Sequence, residues 1–137
     1  MTSRLELDRA DVKQYMPDNT EQLTVAGREV YLFSKSTDWN IFFRIAIFYD
    51  PDERGYCAQL FGPKIDLKWM NPHVGHIFSD GVICFGGDSM RTRKTLREAY
   101  AKSCLWAEGM AVMLHGQLSG RPTSFPFSIN SKETDIF

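Results

Sequence analysis

Cys84 stands in a distinctive local setting. It follows an Asp80-Gly81 turn and the short apolar run Val82-Ile83, and it is separated from Gly86-Gly87 by one residue. Two histidines, His73 and His76, lie a few positions upstream. A nucleophilic thiol needs partial exposure and a neighbour that favours the thiolate or accepts its proton. A cysteine on a constrained backbone between a turn and two glycines, close to imidazoles, meets that description and is expected near the surface. His73, His76 and Cys84 also offer three ligands of a zinc site, or the parts of a cysteine hydrolase, although no fourth ligand and no Asp or Asn orienter is evident nearby. The plain alternative is a core strand over Val82-Ile83-Cys84-Phe85, since cysteine is among the most buried residue types. Cys57, in an apparent strand, and Cys104, on the apolar face of a helix, read as core thiols.

These residues need elements to position them. Asp8 to Met16 reads as a short first helix with Asp8 as its N-cap and Pro17-Asp18-Asn19 as its stop. Val30 to Phe33 is rich in β-branched and aromatic residues and reads as a strand. Ile41 to Tyr49 carries apolar residues on both alternating faces, the mark of a central strand. The run Asp50 to Gly55 has hairpin composition, and Tyr56 to Phe61 returns antiparallel until Gly62-Pro63. Lys64 to Gly87 has no clear period. One long helix follows, from Asp88 or Ser89 to about His115, with Leu96, Tyr100, Cys104, Ala107, Ala111 and Leu114 as its buried face and Gly116 and Gly120 as candidate stops. Arg91, Arg93, Lys94 and Arg97 then form a basic cluster at its start, most simply a solvated face. Arg121 to Phe137 reads as an irregular, partly mobile tail. A helix, three or four antiparallel strands, a loop and a long helix define an α+β architecture.

Composition narrows the function classes. The 137 residues, 43% hydrophobic and 13% aromatic, suit a single domain with a self-supporting core. Sixteen Lys+Arg against seventeen Asp+Glu, a net charge of -1, argue against a nucleic-acid binder driven by counterion release. Three cysteines, an odd number without close pairing, argue against a disulfide scaffold and for a reducing compartment. The most apolar stretch, Ile41 to Tyr49, is far too short to span a membrane and carries Arg44 at its centre. The N-terminus has acidic residues where a signal peptide has an apolar block. The expectation is a cytoplasmic protein with no nucleic-acid or membrane partner.

The segment Asn71-Pro72-His73-Val74 through Gly81-Val82-Ile83-Cys84 resembles the active-site region of ubiquitin-conjugating enzymes. That family has His-Pro-Asn and a hydrophobic residue, then a short turn ending in Gly, then a hydrophobic residue before the catalytic Cys. The bacterial members found in ubiquitin-like modification operons resemble it most, several having His-Pro-His before an Asp-Gly turn. The element order is similar too, and the resemblance covers roughly Val30 to Leu118. Here Asn71 stands at the family's first His. The family's Asn is replaced by a histidine: His73 by the motif text, His76 by counting back from Cys84.

The resemblance implies a ubiquitin-conjugating-like fold and a catalytic Cys84. This cysteine would take a ubiquitin-like modifier from an activating enzyme's thioester and pass it to an amine of a protein substrate, with or without a ligase. His76 or His73 would support the oxyanion or order the loop, and Asp80 would orient the amine or serve as a turn residue. A thioester is already activated, so no cofactor, nucleotide or metal is implied. The other reading is an inactive binding or scaffold module on the same fold.

Overall fold

A computed structural model describes residues 3–87, 89–120 and 124–127. The first helix, α1 (Arg4–Tyr15), begins where the Ser3 side chain accepts the Glu6 N–H at 3.2 Å. Ser3 and Glu6 thus form a Ser-x-x-Glu start signal, with the cap five residues before the expected Asp8. Asp8 is therefore not an N-cap. It lies inside α1, only 3% exposed, pairing with Arg4 at 2.6 Å and accepting a short hydrogen bond from the Tyr56 hydroxyl. That contact anchors α1 to the sheet.

Four strands follow: β1 (Glu21–Val25), β2 (Arg28–Ser36), β3 (Phe42–Asp50) and β4 (Gly55–Gly62). They form an antiparallel meander in the order β1-β2-β3-β4. The strand β1 was not anticipated, because all five of its residues are exposed and leave no burial period. The tight turn Ala26-Gly27, with φ of +52° and +75°, sets its register against β2. The strand β3 is central, as its two apolar faces predict. Phe43, Ile45 and Ile47 face the main core, while Ala46 and Phe48 join Val30, Cys57 and Val82 in a smaller cluster on the opposite face.

The second helix, α2 (Leu96–Leu118), starts later than expected. Thr95 is the cap, its hydroxyl accepting the Glu98 N–H at 3.2 Å. Residues before it are held elsewhere: Arg93 exchanges backbone hydrogen bonds with Tyr56 at 2.8 and 3.0 Å. Of the expected basic cluster, only Arg97 belongs to α2. The buried stripe of α2 runs through Leu96, Ala99, Ser103, Trp106, Met110 and Met113, with Ala107 and Ala111 beside it. Tyr100, Cys104 and Leu114 flank the stripe rather than centre it. Gly116 is buried within α2, and Gly120, with φ +71°, lies beyond its end. The architecture is α+β: an N-terminal helix, a four-stranded antiparallel sheet and a C-terminal helix. Residues 121–123 and 128–137 of the expected tail lie outside the described residues.

Candidate functional site

The loop between β4 and α2 is organised by short-range backbone chemistry. After one 3-10 turn, Leu67–Trp69, the Asn71 Oδ1 accepts the N–H groups of His73 and Val74, both at 2.9 Å. This Asx turn reverses the chain. Gly75 comes next, where a Cβ would collide with the Trp69 carbonyl, so only glycine allows the approach. The Gly75 carbonyl accepts the Trp106 indole N–H at 2.8 Å, which ties the loop to α2. His76 then adopts φ +53°. For a non-glycine residue the left-handed region costs roughly 1–2 kcal/mol.

Residues 77–83 form a small hairpin. Ile77 and Ile83 are bridged, and Phe78 N–H donates to the Val82 carbonyl at 2.8 Å. Asp80 sits at its tip: Oδ1 accepts the Val82 N–H at 3.0 Å, and Oδ2 pairs with Arg91 at 2.6 Å. Partial burial pushes the Asp80 carboxyl up, but the Arg91 hydrogen bond, the Val82 N–H and the Arg91 charge together hold it below the usual range. The second arm of the hairpin docks on β4, with Leu60 N–H donating to Gly81 and Ile83 N–H to Ala58, both at 2.8 Å.

Cys84 leaves that arm at the hairpin's base, its N–H donating to the His76 carbonyl at 2.9 Å. The expectation of a partly exposed thiol is not met. The whole run is buried, with Val82 at 4%, Ile83 at 0%, Cys84 at 2% and Phe85 at 0% exposure: the first two lie on β4, and the next two are bonded to the His76 and Met90 carbonyls. Burial pushes the Cys84 thiol up, while the Gly86 backbone and the charges of Arg93 and Arg91 pull the other way without cancelling it. Arg93 clamps the exit from the site: Nη2 donates to Phe85 at 2.8 Å and Gly86 at 3.3 Å, and Nη1 to Ser89 at 3.0 Å. Gly86 and Gly87, with φ +77° and +74°, let the chain turn there.

The four residues singled out from the sequence therefore divide. Backbone hydrogen bonding joins Cys84 to His76, and His73 lies close enough to His76 to act on its charge. Asp80 belongs to the opposite end of the hairpin and to Arg91. The His73 side chain is exposed on the Asx turn. His76 is half-buried, its ring edge-on to Phe125 at 4.6 Å. Among the described residues, no three His, Cys, Asp or Glu side chains gather to hold a metal ion, so the three-ligand zinc arrangement of His73, His76 and Cys84 is not formed. Sequence reasoning missed Trp106 and Phe125, and it placed Arg93 in a basic cluster read most simply as a solvated helix face, not as a clamp on this loop.

Burial, and secondarily the charge of His73, hold the His76 imidazole below its ordinary range. A base whose folded pKa is depressed favours the fold when neutral. Its contribution is complete above the unfolded value of about 6.5 and falls as pH drops toward the folded value. Chemical denaturation between about pH 7.5 and 5.5 is expected to show this loss in the wild type. His76→Asn, which keeps a residue tolerant of positive φ, should lack that component. Parallel pH curves for the two proteins would disprove the assignment.

Comparisons with protein families, with curated proteins and with solved structures find no match to this chain. Among the described residues no helix is long and apolar enough to cross a membrane.

Proposed function

We propose that this protein carries a ubiquitin-like modifier as a thioester on Cys84 and transfers it to an amine of a protein substrate. The observation that carries the reading is the setting of Cys84. It closes a hairpin loop entered through Asn71-Pro72-His73, after a helix and an antiparallel meander and before a long helix. That setting fits the ubiquitin-conjugating-like fold. In the first step Cys84 loses its proton to a base or solvent, its sulfur attacks the modifier's C-terminal acyl carbon, and the activating enzyme's thiolate leaves. In the second, the amine nitrogen attacks, the Cys84 thiolate leaves, and the amine's proton passes to a base or solvent. His76 or His73 supports the oxyanion formed in each step. No cofactor takes part.

The raised thiol pKa cuts both ways for a carrier, since it keeps Cys84 mostly protonated at neutral pH and so slows its charging. A thiolate of high pKa is the poorer leaving group, so the acyl group is held longer against adventitious attack. It is also the stronger nucleophile once deprotonated. The binding or scaffold module remains the second reading, favoured by the 2% exposure of Cys84 and by the engagement of Asp80 with Arg91.

The test is intact mass spectrometry, without reductant and at mildly acidic pH, on protein produced with its genomic neighbours. A modifier-sized adduct released by thiol supports the carrier. If modifier and activating enzyme are charged while this protein stays bare, the scaffold reading replaces it.

A further inference from the structure

Gly109 lies buried in the middle of α2, where glycine is the poorest ordinary helix former. The space its missing Cβ leaves is filled by the Phe125 ring: a methyl group on residue 109 would overlap that ring. The other edge of the contact is the site itself, because Phe125 packs edge-on against the His76 imidazole at 4.6 Å and 71°. Phe127 continues the layer, its ring 5.4 Å from Phe125. His76 is also the residue whose carbonyl holds the Cys84 N–H.

We infer that residues 124–127 form a strap that closes the site, with Phe125 as a latch seated on Gly109 and His76. Seated, the latch holds His76 and the hairpin base against α2 and keeps Cys84 covered. Released, it frees the half-buried imidazole and opens the approach to the thiol. The latch is a single aromatic side chain on a segment that belongs to neither α2 nor the sheet, so its seating can be reversed without unfolding either. The consequence for acyl transfer rests on the function proposed above, since a carrier whose thiol is covered must open to be charged. The closure itself does not depend on that function.

Alkylation by N-ethylmaleimide, mapped by peptide mass spectrometry on the full chain, reads the closure with no modifier present. Phe125→Ala is expected to speed alkylation of Cys84 by about tenfold or more. Cys57, in the apolar cluster on the far face of the sheet, should stay at its wild-type rate. Gly109→Ala should give the same selective acceleration by displacing the ring. Because alanine favours the helix, its thermal midpoint should not fall in step. Unchanged Cys84 rates in both variants would overturn the strap, as would equal acceleration of Cys57 and Cys84, which signals general loosening. A strap that passes while no modifier adduct forms leaves the closure standing and removes only the carrier function.

Discussion

Cys84→Ala is expected to abolish the modifier adduct outright, and Cys84→Ser to replace a thiol-labile bond with either no adduct or a thiol-resistant ester. The distinction follows from bond chemistry. A thioester exchanges with free thiol because a thiolate is a good leaving group, whereas an alkoxide is a far poorer one. The two other cysteines supply controls. Burial, and then the Asp50 charge, push the Cys57 thiol up to about 11. Cys104 is likewise pushed up by burial, with its hydrogen bond to Tyr100 pulling the other way. Cys57 lies within β4 and Cys104 within α2 rather than at the end of the loop, so Cys57→Ala and Cys104→Ala should keep the adduct. Deleting one buried sulfur costs on the order of 1 kcal/mol, which a domain of ordinary stability tolerates. Circular dichroism should therefore find Cys84→Ala folded. A full-strength adduct in that folded variant, or one that maps to Cys57 or Cys104, would sink the assignment of the nucleophile.

Charge and burial explain which parts of the fold the sequence discloses. The strand β3 was legible because its apolar residues on alternating faces leave it only a central place. The strand β1 was not, because Glu21 to Val25 bury nothing and its turn signal is one glycine. Both helix starts were misplaced for a common reason. Asp8 and the Asp88-Ser89 pair look like caps by residue type, yet the signals Ser3-x-x-Glu6 and Thr95-x-x-Glu98 mark the true starts, each cap hydroxyl accepting the Glu N–H. Arg91 and Arg93 imitate a solvated helix face. Their guanidinium groups instead serve a carboxylate and four backbone carbonyls of a loop, contacts that span up to 11 positions in sequence.

The site divides the same way. Asn71, His73, His76, Asp80 and Cys84 were visible because loops concentrate unusual residues. What was invisible is what holds them, since Trp106 and Phe125 come to the loop from some 30 to 50 positions away. No local pattern encodes such contacts. The exposure of Cys84 failed for a related reason: the run looks like a loop exit, but Val82 and Ile83 are docked on β4 while Cys84 and Phe85 are tied to the His76 and Met90 carbonyls.

Trp106 is the residue through which α2 controls this loop, and its substitution is expected to have the largest effect on stability. The side chain is fully buried and meets Phe43 edge to face at 5.6 Å. Trp106→Ala forfeits about 3–5 kcal/mol of packing. It also orphans the buried Gly75 carbonyl, for about 1–3 kcal/mol more. Against a total of roughly 5–15 kcal/mol for a domain, that variant sits near the unfolding threshold. Trp106→Phe separates the two contributions, because it keeps an aromatic ring against Phe43 but has no N–H to give. Its expected cost in urea denaturation is about 1–3 kcal/mol. The Cys84 amide, bonded to the His76 carbonyl one residue beyond Gly75, should then exchange with solvent faster than amides of β3. A Phe variant with wild-type stability and unchanged protection at Cys84 would mean that the Asx turn and hairpin hold the loop unaided. The expected outcome places the control in α2 instead, because the loop's own hydrogen bonds fix its turns but not its distance from the helix.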